Sequence, residues 1–143
     1  MLEPDILARF TTHLKEALQK ALSFAIRQGR DLVEPGDLLV GLLQERGSIA
    51  AEILGKSNVE LDDAEATFRG MPTPHRTGRP VTPDLSPAVK RVLEKSVLTA
   101  HLHEHKYVGT EHLLTALLDH PLDDIQTFLP SQGMNVEFAR EQL

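Results

Sequence analysis

Val108-Gly109-Thr110-Glu111-His112-Leu113-Leu114-Thr115-Ala116-Leu117-Leu118 has a counterpart 75 residues earlier, in Val33-Glu34-Pro35-Gly36-Asp37-Leu38-Leu39-Val40-Gly41-Leu42-Leu43. The valine and both leucine pairs recur. At the same offset the match extends without a gap from Phe10 against Leu85 to Phe68 against Leu143, with eleven identities over 59 paired positions. That is about three times the chance level for ordinary composition. Substitution in kind adds more: Leu14/Val89, Ala17/Val92, Leu22/Val97, Ile53/Phe128, Val59/Met134 and Leu61/Val136 each keep an apolar side chain. A duplicated supersecondary unit explains the pattern.

Within each copy the apolar spacing is helical. Leu14, Ala17, Leu18, Ala21, Leu22 and Ala25 recur at three-and-four intervals behind Thr11 or Thr12, either of which can cap the helix. Gly29 with the polar Arg30-Asp31 suits its exit. A second helix starts near Gly36 or Asp37 behind Pro35 and ends near Gly47. Ser48 caps a third, closed by Gly55, and Asp62 with Glu65 has the spacing of a capping box for a fourth. The second copy repeats the plan: Ser86-Pro87 opens its first helix, Thr110 caps the next with Glu111 in the first turn, and Asp123–Leu129 and Val136 onward supply the rest. The expected fold is all-α, with two tandem four-helix repeats packed as one pseudo-twofold domain over 1–143. Repeat one covers 10–68, an extended linker 69–84, and repeat two 85–143. The linker holds Arg69, Arg76 and Arg79, which suit either a solvated connection or a basic partner-binding segment. The last helix stops at Leu143 without a C-cap, as expected of a segment cut from a longer protein.

A chain of 143 residues buries roughly two-thirds of its unfolded surface and folds without staples. It has no cysteine, hence no disulfide, thiolate metal site or cysteine nucleophile. No apolar run reaches the roughly 18 residues needed to span a bilayer, and no basic-then-apolar leader opens the chain. A cytoplasmic protein with no membrane partner is expected. The net charge of -6, with fifteen Lys and Arg scattered among twenty-one acids, argues against nucleic-acid binding.

His101-Leu102-His103-Glu104-His105 fits the H-x-x-E-H pattern of one metalloprotease class, and on a helix His101 and His105 would share a face. A zinc-dependent hydrolase built on 101–105 is therefore the alternative from a different functional class. It lacks an evident further ligand, and histidines are ordinarily favourable at the polar end of a helix. No phosphate loop, dinucleotide fingerprint or nucleophile elbow is present, so the chain is expected to be non-enzymatic, with no cofactor and no metal.

Tyr107 to Leu118 closely resembles the signature of the Clp N-terminal domain, the doubled module at the front of ClpA- and ClpC-type AAA+ unfoldases. Leu85-Ser86-Pro87-Ala88-Val89-Lys90-Arg91-Val92-Leu93-Glu94 is similar to that family's start of a repeat. The resemblance implies a domain that binds protein substrates or adaptor proteins for an ATP-driven unfoldase ring feeding a protease, with the ATPase modules outside this chain. It equally accommodates a free-standing module that sequesters partners or regulates an unfoldase. In ClpC-type members a threonine at a repeat's start and the glutamate of the Thr-Glu-His motif bind phosphoarginine. Carried over, the second copy offers Ser86 with Glu111; the first offers Thr11, with Gly36 where the acid belongs. A carboxylate suits the guanidinium, while a hydroxyl and helix N-terminal amides suit the phosphoryl group. Dipole complementation in a first helical turn is the other role for Glu111.

Overall fold

The computed structural model describes residues 8–69, 83–119, 123–134 and residue 139. Thr11 is extended, and its hydroxyl accepts from Leu14 N–H at 3.1 Å, which starts α1 (Thr12–Arg27). Gly29, at φ 69°, turns the chain out of that helix. A two-residue strand β1 (Leu32–Val33) leads into α2 (Pro35–Gln44), then α3 (Ile49–Lys56) and α4 (Leu61–Arg69). The second copy runs β2 (Asp84–Leu85), α5 (Pro87–Leu102), α6 (Thr110–Asp119) and α7 (Asp123–Ser131). Among the described residues the fold is thus all-α apart from two very short strands. Most of the linker and the helix expected from Val136 onward lie outside the described residues.

The strands show how the copies join. β1 and β2 are parallel, Leu32 opposite Asp84 and Val33 opposite Leu85, and Phe10 forms a second parallel bridge to Val108. Thr11 N–H donates to Val108 O at 2.9 Å, and Ser86 N–H donates to Val33 O at 3.1 Å. Moving each partner to its equivalent in the other copy, Thr11 to Ser86 and Val108 to Val33, turns the first bond into the second, as a pseudo-twofold axis requires. Each copy's entry therefore hydrogen-bonds to the segment that precedes the other copy's second helix. Left-handed backbone recurs at the same offset, at Gly29 and Glu104 (φ 58°) and again at Asn58 (φ 66°) and Gly133.

The two leucine motifs form the centre. Pro35 to Leu43 of α2 are all buried, and so are Leu113, Leu114, Ala116, Leu117 and Leu118 of α6. A helix apolar on every side belongs in the middle of a fold. Each fully buried leucine contributes about 1.5–3 kcal/mol of transfer free energy. Phe68 of α4 meets Phe128 of α7 edge-on at 5.3 Å, closing the core between the copies. Gly41 lets α2 approach α1 closely, for a Cβ there would lie 2.3 Å from Ala17 O. At the equivalent crossing in copy two the residues are Ala116, Val92 and Ser96, all buried.

Several local expectations are corrected. α2 starts at Pro35, just ahead of Gly36, with Glu34 as its N-cap, and the Asp37 carboxylate accepts from Glu34 N–H at 2.8 Å in a capping box. α2 then stops at Gln44, short of Gly47, and α3 runs through Gly55 to Lys56. α4 begins at Leu61, ahead of Asp62, and Glu65 instead accepts from Gln44 Nε2 at 3.0 Å. Thr110 does not cap α6; its hydroxyl accepts from Ala50 N–H of α3 at 3.3 Å, a tie between copies. Arg30, expected at a polar helix exit, is buried beside Phe24 and ion-paired with Asp37.

Candidate site at the junction of the copies

Ser86 and Thr11 occupy equivalent helix starts, and each hydroxyl is engaged in capping: Ser86 Oγ accepts from Val89 N–H at 3.1 Å, as Thr11 Oγ1 does from Leu14 N–H. Their surroundings differ. Ser86 is 3% exposed, while Thr11 is half-buried. Glu111, in the first turn of α6, is also half-buried. A Cβ on Gly109 would lie 2.1 Å from Glu111 Oε1, so the carboxylate folds directly over Gly109, beside the bridge between Val108 and Phe10.

The backbone therefore sets Thr11, not Ser86, next to the segment that carries Glu111. His105, just past α5, contacts His112 in the first turn of α6, which places that turn at the α5 C-terminus. Ser86 lies at the other end of α5, sixteen residues or roughly 24 Å away at 1.5 Å per residue. Across the copies, Thr11 is bonded to Val108, three residues before Glu111, and Ser86 to Val33, three residues before Gly36. At Gly36 a Cβ would lie 2.3 Å from the buried ring of Phe68, so no acidic side chain fits there. That half of the junction is closed.

The histidine motif is divided by the end of its helix. α5 ends at Leu102 and Glu104 has positive φ, so His105 is off the helix and shares no helical face with His101. His105 Nδ1 lies 2.7 Å from His112 Nε2, and Gly109 N–H donates to His112 Nδ1 at 2.8 Å. These are the copy-two equivalents of Arg30, Asp37 and Glu34: a histidine pair stands where copy one has its buried ion pair. Burial pushes the His112 imidazole below its ordinary pKa, and His105 and His103 act in the same direction against the pull of Glu111. In copy one burial pushes the Asp37 carboxyl up, against Glu34 N–H and the Arg30 guanidinium.

Sequence reading gave no sign of a third cluster. His13 and Glu16 on α1 meet Glu45 at the end of α2, with Lys20 also paired to Glu45. A depression of about 420 Å3 lies within copy one, lined by Leu43, Arg46, Ala51, Val59 and Leu61 among others. Among the described residues no helix is long and apolar enough to cross a membrane.

Comparison with known proteins accords with this architecture. Residues 9–132 match the family described as the Clp repeat (R) N-terminal domain. Chaperone protein ClpC2, chloroplastic, of Oryza sativa subsp. japonica is 34% identical over 139 residues, covering 97% of this chain and 15% of that protein. The chain thus spans only about one-seventh of such a relative's length. Among solved structures, the N-terminal domain of the chaperone ClpD from Arabidopsis thaliana superimposes with a TM-score of 0.78 at 18% identity, covering 99% of this chain and 96% of that one. A complex of the ClpV N-domain with a VipB peptide gives 0.75 at 18% identity, covering 99% and 88%. With a family match over nearly nine-tenths of its residues, the chain belongs to the Clp repeat (R) N-terminal domain family.

Proposed function

We propose that this domain docks protein substrates or adaptor proteins for a Clp-type ATP-dependent unfoldase that feeds a protease, and itself catalyses no reaction. Family membership supports the reading, as does the ClpV N-domain of the same fold, solved with a VipB peptide. A cytoplasmic setting is part of the proposal, although the rice relative is named chloroplastic.

The docking site we assign is the open half of the junction. The observation that carries it is the Thr11 to Val108 hydrogen bond, which brings a helix N-terminus with a hydroxyl cap beside the Glu111 carboxylate. Phosphoarginine on a tagged substrate has the matching charges: its phosphoryl group suits the α1 N-terminus and its guanidinium suits Glu111. The other half, with Gly36 under Phe68, offers no carboxylate. Calorimetric titration of the domain with phosphoarginine and with arginine tests this. Saturable binding of phosphoarginine alone, near one site per chain, lost in Glu111→Gln and kept in Ser86→Ala, is expected. Failure of the wild type to bind, or equal loss in both variants, contradicts the assigned site.

A further inference from the structure

Elsewhere, α1 and α2 converge on three groups that the docking reading does not use. His13 and Glu16 stand three residues apart on α1, which puts them on one face, and Glu45 follows the last turn of α2. One ligand atom from each lies within 4.8 Å of the others, and His13 Nδ1 is 2.6 Å from Glu45 Oε2. The Glu45 side chain is 4% exposed, whereas that of His13 is 53% exposed. The cluster thus has a buried carboxylate floor and a rim open to solvent.

Lys20 Nζ engages Glu45 Oε1, while Oε2 faces His13. The imidazole and the second carboxylate oxygen therefore face each other on the side away from the lysine. One imidazole nitrogen with two carboxylate oxygens is a donor set for a borderline divalent ion such as zinc, with a fourth position left to water.

We infer that His13, Glu16 and Glu45 form a divalent-cation site at the α1–α2 end of copy one, suited to zinc-class ions. The equivalent positions in copy two are Ala88, Arg91 and His120, so the duplication does not repeat it. The inference is independent of the docking reading.

The test is calorimetric titration of chelator-washed domain with zinc chloride at pH 7. Four proteins are compared: wild type, His13→Ala, Glu16→Gln, and the double variant His103→Ala/His105→Ala, which breaks up the competing histidine cluster. One saturable site per chain, weakened at least tenfold by each of the first two substitutions and unchanged by the double variant, is expected. His13 and Glu16 are exposed, and far-ultraviolet circular dichroism checks that each variant keeps its fold. No saturable binding, or binding that survives His13→Ala or Glu16→Gln, overturns the inference.

Discussion

Gly41→Ala and Gly55→Ala make the same chemical change in two helices and are predicted to change stability in opposite directions. A Cβ on Gly41 would lie 2.3 Å from Ala17 O, 3.0 Å from Ala21 N and 3.1 Å from Ala21 Cβ. Ordinary contact begins at 3.4 Å, so α1 must retreat by 3.4 − 2.3 = 1.1 Å. The obstacle is backbone and cannot rotate aside. Overpacking of this kind costs about 1–3 kcal/mol, while alanine is favoured over glycine in a helix by about 1 kcal/mol. Since the clash is with backbone, the upper part of the overpacking range applies, and the net loss is about 1–2 kcal/mol. A Cβ on Gly55 of α3 meets nothing within 4 Å, so there the propensity gain, about 0.5–1 kcal/mol, stands alone. Urea denaturation followed by circular dichroism resolves both. With a denaturant slope of about 1–3 kcal/mol per molar, the midpoints move apart by roughly a molar. A Gly41→Ala domain as stable as Gly55→Ala would refute the close crossing of α1 and α2.

Other consequences can be checked in the same way. Arg30→Met strands the buried Asp37 carboxylate and is predicted to cost about 3 kcal/mol at pH 7, with part of the loss recovered in acid as Asp37 takes up a proton. Glu104→Gly relieves a left-handed backbone that a side chain disfavours and should stabilise by about 1 kcal/mol in thermal unfolding. His112 has a folded pKa below its unfolded value near 6.5, so the unfolded chain binds more protons between the two values. The His112 contribution is thus complete above pH 6.5 and is lost as pH falls toward the folded value. A urea midpoint lower at pH 5.5 than at 7.5, with the difference reduced in His112→Asn, is expected; a difference unchanged in that variant would contradict it. Ser86→Ala removes the α5 cap and should cost about 1 kcal/mol in urea.

The helices were legible because their apolar spacing, their caps at Thr11, Ser48 and Ser86, and the 75-residue offset all pointed the same way. Partnership between the copies was not legible. An internal repeat shows that two units are alike, but not whether each closes on itself or exchanges its entry segment with the other. That exchange rests on two-residue strands, too short to leave an alternating pattern. It governs the proposed site, since it sets Thr11 beside the segment that carries Glu111 and Ser86 beside the segment that carries Gly36. Buried polar groups were missed for a related reason: Arg30 read as part of a polar helix exit, and nothing local marks Asp37 or His112 as buried until their partners are known. One signal was available. Arg30 and Asp37 at the offset become His105 and His112, an exchange of a salt-bridging pair for two histidines that can hydrogen-bond to each other.

The claim on which the rest depends is that the docking site is built across the copies, and amide chemical-shift mapping with phosphoarginine tests it most directly. The account predicts that the perturbed amides fall together at Thr11–Leu14 and Gly109–Glu111, with Ser86–Val89 unmoved. Perturbation of Ser86–Val89 together with Glu111, and not of Thr11–Leu14, would contradict it.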